Sequence, residues 1–175
     1  MTTDPSSTPA PGDEIVVPDR RFVEHLLDEM ELSYVVDEDG DLAAPFEHFR
    51  TYFMFRGEDT DRTFSVRAFY DRAYPIEMKP RLLEVADDWN RRTLWPKLYS
   101  FTTDDGVVRL IGEAQMSIGV GVGRDHFRVA TVNWTHACTQ VDDWLVQQLG
   151  GADRVTPDRR TVEAGEEPTD DPGPA

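Results

Sequence analysis

HFRTYFMFRGEDTDRTFSVRAFYD, His48 to Asp71, is the stretch on which the fold turns. In HFRTYFMFR the faces alternate. Phe49, Thr51, Phe53 and Phe55 fall on one side, and Arg50, Tyr52, Met54 and Arg56 on the other. TFSVRAFYD repeats the pattern, with Phe64, Val66, Ala68 and Tyr70 on one side and Ser65, Arg67 and Phe69 opposite. Two long strands joined by the short polar GEDTD segment predict an antiparallel hairpin. A closing turn near Gly57–Asp61 sets Tyr52 opposite Arg67 and Arg50 opposite Phe69. Phe49, Phe53, Phe55, Phe64 and Val66 are expected to face helices, which leaves Met54 and Arg56 outward and, with them, the four residues Arg50, Tyr52, Arg67 and Phe69. Solvated sheet faces favour Thr, Lys and Glu, whereas Arg and aromatic residues are enriched at interaction hot spots. These four residues are therefore a candidate partner surface. The alternative is that the Arg stems only cover the rings.

The flanking sequence supplies the other elements. Phe22, Val23, Leu26, Leu27 and Met30 at helical spacing predict a helix over 18–31, with Pro18 in its first turn. Tyr34–Val36 and Leu42–Ala44 read as a short hairpin around DEDGD, with Gly40 supplying a positive φ. Asp37, Asp39 and Asp41 alternate as in a calcium loop. That loop needs Gly and Glu where the chain has Leu42 and His48, so the segment reads as a solvated turn. A second helix is predicted from Pro80 to Arg92, burying Leu82, Leu83, Val85, Ala86 and Trp89. KLYSFT and VVRLIGEAQMSI follow as strands around TDDG. GVGVG then reads as a flexible bend, and the stripe from Phe127 to Leu145 marks a last helix over 124–149. The order is α-ββββ-α-ββ-α. Strands that come in hairpins predict an α+β fold, an antiparallel sheet of five to six strands with helices on one face.

Composition limits the function classes. Of the 175 residues, Met1–Val17 and Gly150–Ala175 are rich in Pro, Gly and acid, and are expected to be disordered tails around one domain, 18–149. The formal charge of −16 leaves −9 on the domain, which argues against nucleic acid as a partner. The single cysteine, Cys138, excludes an internal disulfide and lies on the apolar stripe of the last helix. No apolar run approaches a membrane span and none resembles a signal peptide, so the chain reads as soluble and cytoplasmic. His25, His48, His126 and His136 lack metal-ligand spacing. The glycines at 119, 121 and 123 run G-x-G-x-G, not the dinucleotide fingerprint. No catalytic, cofactor-binding or metal-ligating residue is named.

DDWNRRTLWPKLYS, Asp87–Ser100, is dense in unusual residues. Trp89 falls on the helix stripe and Asn90 is placed to bridge backbone at the helix exit. Trp95 can pack back under the last turn, Pro96 stops the helix and Lys97 opens a strand. These five read as a structural corner. WN at 89–90 and WPK at 95–97, preceded by the ELSYVVDEDGDL hairpin, resemble the bacterial YbjN-domain family, whose members are described as sensory transduction regulators. The likeness spans Pro18–Leu149, and GVGVG departs from it. It implies a fold similar to type III secretion chaperones, a non-enzymatic interaction domain and no known cofactor. The expected function is thus a cytoplasmic protein-interaction or chaperone-like regulatory domain with an unidentified protein partner. A homodimer is expected too, because the last helix carries Val129, Val132 and Trp144 beyond its main stripe. The alternative is a small-molecule sensor or an enzyme with a pocket between sheet and helices.

Overall fold

The computed structural model describes residues 14–150. Of the expected tails, 1–17 and 150–175, residues 1–13 and 151–175 lie outside the described residues. Ahead of the expected domain start at residue 18, Ile15–Val16 form a strand, β1. Glu14 extends the tie: its backbone carbonyl accepts from the Arg124 amide and its carboxylate meets the Arg124 guanidinium at 2.8 Å. Reading this segment from its acidic, Pro-rich neighbours missed two apolar residues that find a partner far along the chain.

Helix α1 is Arg20–Glu29, shorter than the expected 18–31. Asp19 opens it, its carboxylate accepting the Phe22 amide at 2.9 Å, so Pro18 precedes the helix and is buried there. A carboxylate satisfies an orphan N–H of the first turn, which proline cannot do. Strands β2 (Val35–Val36) and β3 (Leu42–Pro45) form the short hairpin, with Gly40 at φ 84°. Its acids serve the turn. Asp37 accepts the amides of Asp39 and Asp41, and Asp41 pairs with Arg56 at 2.6 Å.

Strands β4 (Phe49–Arg56) and β5 (Thr63–Tyr70) are the long hairpin, and Tyr52 stands opposite Arg67 and Arg50 opposite Phe69. A two-residue strand β6 (Tyr74–Pro75) and one turn of 3-10 helix lead into α2 (Lys79–Arg92). Strands β7 (Lys97–Thr102) and β8 (Val107–Ser117) follow. A short β9 (Val122–Gly123) precedes α3 (Arg124–Leu149). The sheet is antiparallel in the order β2-β3-β4-β5-β8, with β7 on the far side of β8 and β6 continuing the line of β5. β1 pairs separately with β9.

The core lies between one sheet face and the helices. Phe53, Phe64, Val66, Leu110 and Ala114 meet Val23, Leu27, Leu82, Phe127, Trp134, Val141 and Leu145, all buried. Each large side chain removed from water in this way contributes about 1.5–3 kcal/mol. Three buried hydroxyls here find partners within the core. The Tyr70 hydroxyl donates to the Cys138 carbonyl at 3.0 Å, and Thr131 and Thr135 return their hydroxyls to carbonyls one turn back on α3. The GVGVG segment is a packed joint and not a loose bend. A Cβ on Gly119 would come within 2.1 Å of the Asp59 carbonyl, and Gly121, at φ 87°, lies against Ile15. Only glycine permits that approach of two backbones.

Candidate functional site

All three helices cover one face of the sheet. The other face is left to its own side chains, and the register arranges them in rows. Arg50, Phe69, Ile111 and Tyr99 form one row across β4, β5, β8 and β7; Tyr52, Arg67, Glu113 and Lys97 form the next. Arg109 and Phe101 add a third at the end of β8 and β7. Of the four residues expected to form a partner surface, all four lie on this face and all are half-buried.

Their interactions differ. The Tyr52 and Phe69 rings meet edge to face, centroids 5.4 Å apart at 82°. Arg67 does not stack on them. It donates from Nε and Nη2 to one oxygen of Glu113, at 3.2 and 2.9 Å, while the Tyr99 hydroxyl donates to the other oxygen at 3.1 Å. This charge is therefore spent within the sheet. Arg50 has no ion pair or side-chain hydrogen bond among the described residues. Arg109 donates to the Asp71 carbonyl, a neutral acceptor, at 3.0 Å. Burial, and after it the Glu113 carboxylate, pushes the Tyr99 phenol up to about 12, so it remains a neutral donor.

Glu113, Tyr99, Ile111 and Arg109 were not named from the sequence. The alternation of VVRLIGEAQMSI does place Arg109, Ile111 and Glu113 opposite Val108 and Leu110. What the local pattern lacks is the β5–β8 register, which joins residues more than 40 positions apart.

At the corner the structure brings together Trp89, Asn90, Pro96 and Lys97. The Trp89 indole N–H donates to the Pro96 carbonyl at 2.8 Å. The Asn90 amide takes both outward backbone groups of Leu98, donating to its carbonyl at 2.9 Å and accepting its N–H at 2.8 Å. The Lys97 ammonium donates to the carbonyls of Asn90 and Thr93, where a cation suits the helix end. Trp95 corrects the expectation. It is 48 % exposed and does not pack under the last turn of α2; its ring leans on Trp134 of α3, centroids 5.8 Å apart. The residue precedes Pro96 through a cis peptide.

Other chemistry is thinly represented. Cys138 is buried and burial pushes its thiol up to about 12. Among the described residues no three His, Cys, Asp or Glu side chains are grouped to hold a metal ion. No helix among them is long and apolar enough to cross a membrane. Two recesses among the described residues open at the surface. One of about 190 Å³ lies beside Leu94, Trp95, Lys97, Tyr99 and Glu113; the other lies beside Asp28, Leu32 and Tyr34. Neither sits between sheet and helices.

Comparison with known proteins agrees with this architecture. No curated protein matches the chain. Among solved structures, "YbjN, a putative transcription regulator from E. coli" superposes with a TM-score of 0.59 at 19 % identity, over 73 % of this chain and 91 % of that one. That likeness establishes the fold. The sequence model of the YbjN family, described as "Putative bacterial sensory transduction regulator", matches residues 19–147. Helices on one side, an uncovered sheet face on the other and the Trp-Asn/Trp-Pro-Lys corner between them are thus carried by a chain that belongs to the YbjN family.

Proposed function

We propose that this protein is a non-enzymatic regulatory domain that works by docking a protein partner on the open face of its sheet. One observation carries the reading: Arg50, Tyr52 and Phe69 stand together on a face that no helix covers, while the three helices crowd the other. A pair of rings edged by an arginine that has no carboxylate partner among the described residues offers large contact area and a directional charge, the features of interface anchors. The pocket reading has less support, since both recesses lie at the surface.

The test is the double variant Arg50→Ser/Tyr52→Ser. Arg67 is left in place because its removal would strand the half-buried Glu113 carboxylate. The variant is expected to keep its melting temperature within a few degrees. It is expected to lose the proteins that the wild-type chain captures from its own cell extract, identified by mass spectrometry. Equal capture of the same proteins by both chains would overturn the reading.

A further inference from the structure

The whole chain is strongly acidic, at −16, yet the open face is not. Its three central rows hold Arg50, Arg67 and Arg109 and a single carboxylate, Glu113, which Arg67 neutralises. Asp71 and Asp105 stand only at the rim. Two further guanidinium groups stand on either side of the apolar pair Phe69 and Ile111: Arg50, and Arg109, which donates to the Asp71 carbonyl and whose charge is felt by the Asp105 carboxylate. Two strand spacings and two residues separate them, roughly 12 Å between backbone positions.

The same chain contains a segment of matching chemistry. Glu163, Glu166, Glu167, Asp170 and Asp171 follow one another without an intervening base. In extended chain, residues three or four apart lie roughly 10–14 Å from each other, the spacing of the two arginines. The segment is also within reach. Asp142 of α3 pairs with Arg72 at 3.2 Å, just past the end of β5, and Arg109 is bonded to the adjacent Asp71. From Asp142 the helix runs on for about 10 Å to Leu149. Glu163 lies thirteen residues beyond Gly150, and thirteen residues of extended chain span up to roughly 45 Å. The path back around the sheet end is shorter, about 20–25 Å by strand and helix dimensions.

We propose that the acidic segment Glu163–Asp171 of this chain lies across the Arg50–Phe69–Ile111–Arg109 patch, so that an external partner reaches the face only by displacing it. The inference rests on the reading of this face as a docking surface. It adds the chain's own occupant and makes docking sensitive to salt, since exposed charges at this range are screened within a Debye length.

The test uses the full chain with Ala164→Cys carrying a nitroxide label. Cys138 does not compete for the label because it is fully buried with a raised pKa. Amide signals of β4, β5 and β8 around Tyr52, Phe69 and Arg109 are expected to lose at least half their intensity at low salt. They are expected to recover in about 0.5 M salt, where the screening length falls to a few ångströms. They are also expected to recover in the Arg50→Gln/Arg109→Gln variant. Absence of broadening on these strands, or broadening that ignores both salt and substitution, overturns the proposal. So does broadening that appears equally when a labelled, isotope-free chain is mixed with an unlabelled, isotope-enriched one, because a second copy is then the occupant. If broadening is absent while Arg50→Ser/Tyr52→Ser still abolishes capture, only the tail is wrong. If broadening is present and capture is unaffected, the external partner is wrong.

Discussion

Asn90 shows how one residue can settle two elements. Its amide satisfies the outward N–H and C=O of Leu98, so helix α2 closes the edge of β7 where another strand would otherwise pair. Asn90→Ala leaves both groups without a partner and is expected to cost about 1–3 kcal/mol. Amide hydrogen exchange at Leu98 should quicken in that variant while exchange in β4 follows only the global loss. The two tryptophans of the corner should separate in the same kind of measurement. Trp89 is buried, donates to Pro96 and packs on Trp144 at 5.4 Å, so Trp89→Ala is expected to cost about 3–5 kcal/mol. Trp95 keeps nearly half its surface in water, so Trp95→Ala should cost only about 1–2 kcal/mol. Equal losses in chemical denaturation would refute that ordering. Alkaline pH probes a third residue. Burial raises the Tyr74 phenol from 10.0 to about 12, with Arg72 opposing and Asp142 reinforcing the shift. A folded pKa above the unfolded one means that stability is intact below pH 10 and is lost as pH rises towards 12. The urea midpoint should therefore fall between pH 9 and pH 11, and fall less in Tyr74→Phe.

Among the elements, β1 is the addition that sequence patterning does not announce. Two residues, Ile15 and Val16, pair with Val122 and Gly123 and hold the entry to α3. Ile15 is 68 % exposed, so the pairing contributes backbone hydrogen bonds more than burial. A chain beginning at residue 14 is expected to melt with the full protein. One beginning at residue 18 should melt a few degrees lower, with a ΔΔG of about 1 kcal/mol. Identical melting of the two would mean that β1 contributes nothing. The contrast between α2 and α3 is also physical. α2 buries one stripe and ends where Pro96 and the Lys97 cation close it. α3 buries a longer stripe, Phe127, Trp134, Cys138, Val141 and Leu145, keeps its other side in water, and satisfies its buried Thr hydroxyls internally.

For the molecule as a whole, the sheet divides into a face covered by the helices of the described residues and an open face. An isologous pair is a further expectation at this scale. Trp144 is already engaged by Trp89, so the case for a homodimer rests on Val129 and Val146, which are exposed, and Val132 beside them. Light scattering at micromolar concentration should give twice the chain mass if α3 pairs with its copy, and Val129→Glu should return the chain mass. A monomer in both samples would show that this helix face stays in water.

Local rules were enough to read the strands Phe49–Arg56 and Lys97–Thr102, the last helix from Arg124 to Leu149 and the hairpin register that sets Arg50 against Phe69. Alternation, helical spacing and turn chemistry are short-range properties, carried by residues within one element and its turn. At the corner the same holds for Trp89, Asn90, Pro96 and Lys97, whose partners are close along the chain, but not for Trp95. What required the tertiary structure was everything joined across distance. The partners of Arg67, the β5–β8 register, the pairing of β1 with β9 and the seat of Trp95 on Trp134 all depend on contacts between residues dozens of positions apart. No local pattern encodes such contacts, because they arise only when the whole chain buries its apolar surface at once.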